Sequence, residues 1–289
     1  MNIGATRSIV KRKLLEAVAS PDFEADQIIC GVKGVNRAYL HAHPEAEVSP
    51  QSFAAIIELT RRRLSGEPLA YILGSSLFCG RPFITTRGVL IPRPETEIMA
   101  KIACYAMRRL GTENEKTFAD WCTGSGCIAI TLALENPGWT GWAVDASEEA
   151  LQIARGNAAL HGTRGGVKFL LCGRPSNATP DIEPRSLDFV VSNPPYVPTD
   201  DIASLEAQVA AFEPRIALDG GADGLDAYRM LLSELPPLMK PGAELLLETG
   251  GAGQSDLVCG LAGGSFGLVK KFSDHRGISR FLLLKIPGA

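Results

Sequence analysis

The sequence predicts an α/β protein: a doubly wound, mostly parallel seven-stranded sheet, preceded by a small helical domain and a β-hairpin linker. Three observations carry this. From about residue 115 onward strand-like and helix-like segments alternate, and the strands are near-continuous apolar runs, as in a sheet covered by helices on both faces. The last two strand-like runs, "GLVKKFSD" and "RFLLLKIP", have only "HRGIS" between them and so form a closing pair. The first eighty or so residues show no strand pattern at all.

In chain order, "IVKRKLLEAV" and "FAAIIELTRRRL" repeat apolar residues at helical spacing. The second begins well, with Ser49 as cap and Pro50 in the first turn, and Gly66 ends it. Between them, "DFEADQIICGVKG" and "NRAYLHAHPEAEV" read as short helices. At "LFCGRPFITTRGVLIPRPETE" the texture turns to short β-like runs broken by Gly and Pro, which predicts the hairpin. The expected division is a helical domain over 1–76, a linker over 77–92 and the α/β domain over 93–289. That domain opens with a helix over about 95–110, ending near Gly111. The strands "KTFADW", "GWAVD", "VKFLLC", "LDFVVS" and "AELLLETG" follow, with helices at "CIAITLALEN", "SEEALQIARGNAALHG" and "YRMLLSELPPLM".

Composition narrows the function classes. The chain is 45% hydrophobic and 21% charged, that of an ordinary soluble protein with a real core. Its net charge of −3 argues against a protein whose main task is coating nucleic acid. Residues 1–90 carry eleven Lys/Arg against eight Asp/Glu, including "KRK" and "RRR", so this end is basic and the remainder acidic. Solvated helix faces account for that; a docking surface for an acidic or RNA-bound partner is the alternative. Seven cysteines, an odd number with no CxxC pair or Cys/His cluster, suggest neither a disulfide framework nor a metal site. No membrane span or apolar signal core is present, so the expected location is the cytoplasm.

In a doubly wound sheet, ligands sit outside the carboxyl ends of the strands where the strand order reverses. The first of these strands runs into "WCTGSGCIA", where Gly124 and Gly126 allow a sharp turn and close approach of a ligand to the backbone. About nineteen residues on, Asp145 ends the second strand, placed to accept hydrogen bonds from the two hydroxyls of a ribose. Capping the next helix is the competing role for Asp145, though Ser147 is able to do that itself. The loop departs from the GxGxxG dinucleotide spacing and carries no Walker lysine. It resembles motif I of class I S-adenosylmethionine-dependent methyltransferases, which implies a Rossmann-like domain, with Cys122, Thr123, Gly124, Ser125 and Gly126 along the cofactor.

The fourth strand ends in "SNPPYVP". Proline cannot donate to a sheet ladder, so the strand stops at Asn193, and Asn193-Pro194-Pro195 is stiff backbone. A strand exit with a buried tyrosine is the plain structural account of this stretch. Yet Asn-Pro-Pro-Tyr at this point resembles the signature of methyltransferases that modify a planar, conjugated nitrogen. The chemistry suits the residue types. The lone pair of an amide nitrogen is delocalised, so the catalyst must mainly position it. The side-chain oxygen of Asn193 and the carbonyl of Pro194 each accept one N–H, while Tyr196 stacks on the planar group. This account requires no side-chain base.

"RRRLSGEPLAYILGSSLFCG…GVLIPRPETE", "FADWCTGSGCIAI", "AVDASEEAL", "VVSNPPYVP", "FEPRIALDGGADGLDAYRML" and "DHRGISRFLL" together resemble the release-factor glutamine methyltransferase family (PrmC/HemK), over about 50–289 and more loosely before it. The resemblance implies N5-methylation of the glutamine in the Gly-Gly-Gln loop of peptide-chain release factors by S-adenosylmethionine. The expected enzyme is a monomer whose N-terminal domain helps to dock the factor. Catalysis would fall to Asn193, Pro194 and Tyr196, and substrate binding to these three and Pro195. The 122–126 loop, Asp145 and Asn193 would meet the cofactor. Arg93 and Glu95 stand near the cofactor entrance, or form an ion pair fixing the domain join; Glu213-Pro214-Arg215 reads as a brace.

Three positions depart from the family pattern. Cys122 stands where Gly is usual, at a strain of about 1–2 kcal/mol if φ there is positive. Gly173 replaces an acidic residue that meets the adenine, and Leu77 replaces a Glu. Cys122 has no histidine near it in sequence and is a loop filler rather than a nucleophile. Two alternatives stay open: an NPPY methyltransferase of an exocyclic amino group in RNA or DNA, or of another protein glutamine, and a non-enzymatic binding module on the same fold.

Overall fold

The computed structural model describes residues 1–111, 115–163 and 165–288. The chain forms two compact units, Met1–Ser75 and Ser76–Ala289.

The first unit is helical: α1 (Ile3–Leu14), α2 (Pro21–Lys33), α3 (Arg37–Ala42), α4 (Pro50–Leu64) and α5 (Leu69–Leu73). Side-chain oxygens of Asn2, Asn36 and Ser49 cap α1, α3 and α4, each accepting a backbone N–H three residues on. Ile3, Val10, Leu14, Ile28, Leu40 and Ile56 form its core. Asp26 is fully buried and accepts from Arg7, Arg37 and His41. Burial alone would raise its pKa, but those hydrogen bonds outweigh it and hold the carboxyl below the usual range.

The second unit begins with the hairpin β1 (Ser75–Phe78) and β2 (Arg81–Ile84). Its two turn residues, Cys79 and Gly80, both have positive φ, +49° and +75°, the tight turn that matches strand twist. The paired part is shorter than the linker expected from the sequence. Residues 85–93 form no regular element before α6 (Pro94–Leu110). Then follow β3 (Lys116–Trp121), α7 (Cys127–Glu135), β4 (Trp139–Asp145), α8 (Glu148–Leu160), β5 (Val167–Leu171) and β6 (Leu187–Ser192). The rest comprises α9 (Ala207–Phe212), α10 (Asp226–Glu234), β7 (Met239–Glu248), α11 (Ala252–Ala262), β8 (Gly267–Ser273) and β9 (Ser279–Lys285). Sequence pattern points to neither α9 nor α11. α9 has only six residues, and α11, "AGQSDLVCGLA", buries only Ser255, Val258 and Ala262.

The seven-stranded sheet has the order β5-β4-β3-β6-β7-β9-β8, with β9 antiparallel to both its neighbours and the other pairs parallel. Alternate side chains of β3 serve opposite faces. Phe118 joins Met99, Ile128, Phe189 and Phe281 on one side, while Ala119 and Trp121 join Tyr228, Leu231 and Leu245 on the other. The order reverses between β3 and β6, whose ends are in register, Trp121 opposite Ser192. The Ser192 hydroxyl donates to the Trp121 carbonyl at 2.6 Å. The glycine loop and the Asn193 loop therefore leave the sheet side by side, at the place where such sheets open a crevice.

Candidate active site

The loop from β3 to α7 is bent by three residues with positive φ: Cys122 at +63°, Gly124 at +54° and Gly126 at +76°. Position 122 is thus in the left-handed region, and a side chain there carries strain of about 1–2 kcal/mol. Beneath the loop, fully buried Asp120 accepts from the Thr123 hydroxyl at 2.6 Å and from the backbone N–H of Ala129 at 3.0 Å. Its other oxygen has no hydrogen-bond partner. Burial pushes its pKa to about 7, with Asp145 adding repulsion. Sequence reasoning missed Asp120, although an acid inside the apolar strand "FADW" is a signal that could have found it.

Asp145 accepts Gly124 N–H at 2.8 Å with one oxygen and Ser147 N–H at 2.9 Å with the other. Ser147 itself caps α8 through its hydroxyl, so the carboxylate ties the glycine loop to the end of β4. Burial raises the Asp145 pKa and these backbone donors counter it. The Cys122 thiol is pushed well up by burial, then by Asp145, which leaves it no thiolate character.

These residues line a cavity of about 190 Å³. Its floor is Cys122, Thr123, Gly124 and Ser125; Asp145 and Gly173 stand at one end and Asn193 and Pro195 at another. Gly173 brings no acid, as its identity implied. Gly126 packs under the loop outside the cavity, where an added Cβ would lie 3.0 Å from Ala154. Leu90, Arg93, Ile216 and Ala217 supply further wall. The donor set suits a nucleoside with a charged tail: a carboxylate for a diol, backbone N–H groups of the turn, and apolar walls from Val89, Leu90, Ile128 and Ala146.

Asn193 also borders a second, smaller cavity of about 50 Å³, lined by Pro194, Tyr196, Val197 and Leu218 as well. The two cavities share Leu90, Arg93, Asn193 and Ala217. The Asn193 side chain donates from Nδ2 to the Thr96 hydroxyl at 3.3 Å. The loop after it is pinned by backbone groups: Tyr196 carbonyl accepts from Gln254 at 3.0 Å, and Val197 N–H donates to Leu218 at 2.9 Å. "LDGGADG" packs so closely here that a Cβ on Gly224 would lie 2.4 Å from the Tyr196 carbonyl oxygen. Burial, with Glu248 nearby, pushes the Tyr196 hydroxyl up to about 12.

Arg93 finds its carboxylate partner in Glu213, at 2.6 Å, and Ile91 N–H donates to the other Glu213 oxygen at 3.2 Å. The ion pair that the sequence suggested between Arg93 and Glu95 is replaced by this longer-range one. Glu213 does act as a brace, tying the segment after α9 to the segment before α6. Thr96, Gln254 and Glu248 were missed; the last two are the polar ends of "ETGGAGQ", where the apolar run of β7 gives way.

Comparison with known proteins agrees with this geometry. Residues 8–74 match the PrmC N-terminal domain and residues 104–211 the methyltransferase small domain. The release factor glutamine methyltransferase of Geobacter sulfurreducens is 37% identical over 246 residues, 85% of this chain and 82% of that protein. That of Koribacter versatilis is 41% identical over 242 residues, 82% of this chain and 83% of its own. The Cereibacter sphaeroides protein of the same name is 34% identical over 286 residues, 99% and 98% of the two chains. A methyltransferase structure from Pyrococcus furiosus shares the fold, with a TM-score of 0.51 at 15% identity over 80% of this chain and 99% of that one. With relatives matched nearly end to end, and with the glycine loop, Asp145 and the Asn-Pro-Pro-Tyr exit gathered at one switch point, this chain belongs to the release factor glutamine methyltransferase family.

Proposed function

We propose that this chain transfers a methyl group from S-adenosylmethionine to the side-chain amide nitrogen of the glutamine in the Gly-Gly-Gln loop of peptide-chain release factors. The observation that carries this is the position of Asn193. The residue borders both cavities at once, and its side chain donates from Nδ2 to the Thr96 hydroxyl.

In this reading the 122–126 loop and Asp145 hold the cofactor in the larger cavity, and the smaller cavity takes the carboxamide. Bound there, S-adenosylmethionine supplies an electrophilic methyl group. Asn193 Oδ1 and the Pro194 carbonyl accept the two N–H bonds of the substrate amide. They aim the nitrogen's lone pair and favour the positive charge that grows on it during transfer. Two proline rings keep those acceptors from relaxing. Tyr196 covers the flat face of the carboxamide; its raised pKa keeps it neutral, so it acts through its ring rather than as a base. The surplus proton leaves the methylated amide to water.

The helical unit, matched by the PrmC N-terminal domain, is read as the part that grips the body of the factor. All seven cysteines are free, and among the described residues no helix is long and apolar enough to cross a membrane, which fits work beside release factors in the cytoplasm.

The test is mass spectrometry of release-factor peptides after incubation with enzyme and S-adenosylmethionine, with rRNA and DNA offered in parallel. One added methyl on the loop glutamine is expected. Label found only in nucleic acid would reject the proposal.

A further inference from the structure

A side chain that enters the smaller cavity stays tethered to a main chain, and a space of about 50 Å³ cannot hold that chain as well. The chain must lie on a surface that adjoins the cavity. On one side the larger cavity adjoins it through Asn193 and Arg93, and that space goes to the cofactor. On the other side, among the described residues, lies an open groove of about 650 Å³. The groove shares Tyr196 and Val197 with the smaller cavity and no residue with the larger one.

The sheet explains why the groove is there. β6 and β7 run parallel with Ser192 opposite Leu247, so the chain leaves both strands on the same edge of the sheet. The loop after β6 forms one wall, from Tyr196 to Leu205, and the turn after β7 forms the other, from Gly250 to Gln254. Gln254 ties the walls together: its Nε2 donates to the Tyr196 carbonyl at 3.0 Å, and its Oε1 accepts the Gly250 N–H at 2.7 Å. The width is therefore set before anything binds, which lowers the cost of ordering on association.

The second wall is nearly bare of side chains. A Cβ on Gly250 would lie 3.2 Å from the Tyr196 ring, and Gly251 has φ +154°. Such a wall presents backbone at close range, which suits an extended main chain laid along it. Charge points the same way. Asp201 is the one charged residue among the described lining, and no Lys or Arg joins it. Phosphate backbones are held by Lys and Arg, so a nucleic-acid strand finds repulsion here and no partner.

We infer that this groove seats the main chain of the polypeptide segment that flanks the target glutamine, with Tyr196 as the wall common to groove and carboxamide cavity. This rests on the function proposed above and adds the path that the substrate chain takes.

Gly253 gives the test. It lines the groove in the first turn of α11, its φ lies outside the left-handed region, and an added Cβ meets nothing within 4 Å. Gly253→Phe fills groove space without displacing the protein's own atoms, while Gly253→Ala adds one methyl. Calorimetry with S-adenosylmethionine should give Kd values within about twofold of wild type for both. On a release factor, Gly253→Phe should raise KM at least about tenfold with kcat within about threefold, and Gly253→Ala should change neither by more than about threefold. Unchanged KM in Gly253→Phe, or equal losses in the two variants, overturns the inference.

A second measurement needs no variant of the enzyme. Release factor carrying the photoreactive residue benzoylphenylalanine just beyond its loop glutamine is irradiated with wild-type enzyme, and the attachment point is mapped by mass spectrometry. Attachment within 196–205 or 250–254 is expected. Attachment elsewhere, to a factor that the enzyme does methylate, overturns the groove alone; a factor left unmethylated by wild type overturns the proposed function instead.

Discussion

Arg93 and Glu213, 120 residues apart in sequence, meet at 2.6 Å, and the second oxygen of Glu213 takes the N–H of Ile91. The pair joins two segments that both wall the larger cavity. Glu213 is buried and Arg93 about one-third exposed, so removing the cation leaves a carboxylate under apolar cover. Losing one partner of a fully buried pair costs about 3–5 kcal/mol, and the exposure of Arg93 lowers that toward about 2. Arg93→Ala should reduce unfolding stability by this amount and weaken S-adenosylmethionine binding at least fivefold, read by denaturant titration and calorimetry. A variant with unchanged affinity would show that the pair does not shape the cofactor wall.

Asn193→Ala removes one of two proposed acceptors without opening the glycine loop. Removing a single preorganised group from such a site costs about 10²–10³ in kcat. That loss should appear with the Kd for S-adenosylmethionine changed by less than about threefold. Near-normal turnover in rapid-quench assays would defeat the clamp.

Cys122 is strained by about 1–2 kcal/mol at φ +63°, while glycine in its place adds about 0.5–1 kcal/mol of unfolded-state entropy. Cys122→Gly should therefore be neutral or stabilising by up to about 1 kcal/mol, despite the loss of a partly buried thiol. Cys122→Val should lose at least about 2 kcal/mol, because a β-branched side chain is worse still in that region. Urea unfolding of the three proteins distinguishes them; a destabilised Gly variant would mean that thiol packing outweighs backbone strain.

Burial raises Glu248 from 4.5 to about 7. Between those two pH values the folded protein binds a proton that the unfolded chain does not, so stability falls as pH rises through this window and levels off above it. A tenfold change in proton affinity corresponds to about 1.4 kcal/mol. Asp120, also raised to about 7, adds to the same slope. Glu248→Gln removes one of the two contributions, so its stability relative to wild type should improve by a few kcal/mol from pH 4.5 to pH 8. A constant difference across that range would place the Glu248 pKa near its unfolded value.

Local pattern made most of the fold legible. Apolar runs such as "LDFVVS" and "AELLLETG" could only be buried strands, and Ser49-Pro50 marked the start of α4 within a residue. α11 escaped because a Gly- and Ala-rich segment with three buried positions has little periodic contrast. The site divided along the same line. The glycine loop, Asp145 and Asn193 to Tyr196 each lie at or just after a strand end, and strand ends are visible in sequence.

What the amino-acid sequence determined by itself was the set of strands, the stiffness of Asn193-Pro194-Pro195 and the residue types at the switch point, since all of these depend on neighbours along the chain. Only the tertiary structure decided that Arg93 serves Glu213, that Thr96 engages Asn193 across 97 residues, and that position 122 takes positive φ. The reason is physical: hydrogen-bond polarity and backbone strain are settled by groups that meet in space, and no spacing within one segment encodes which distant partner arrives.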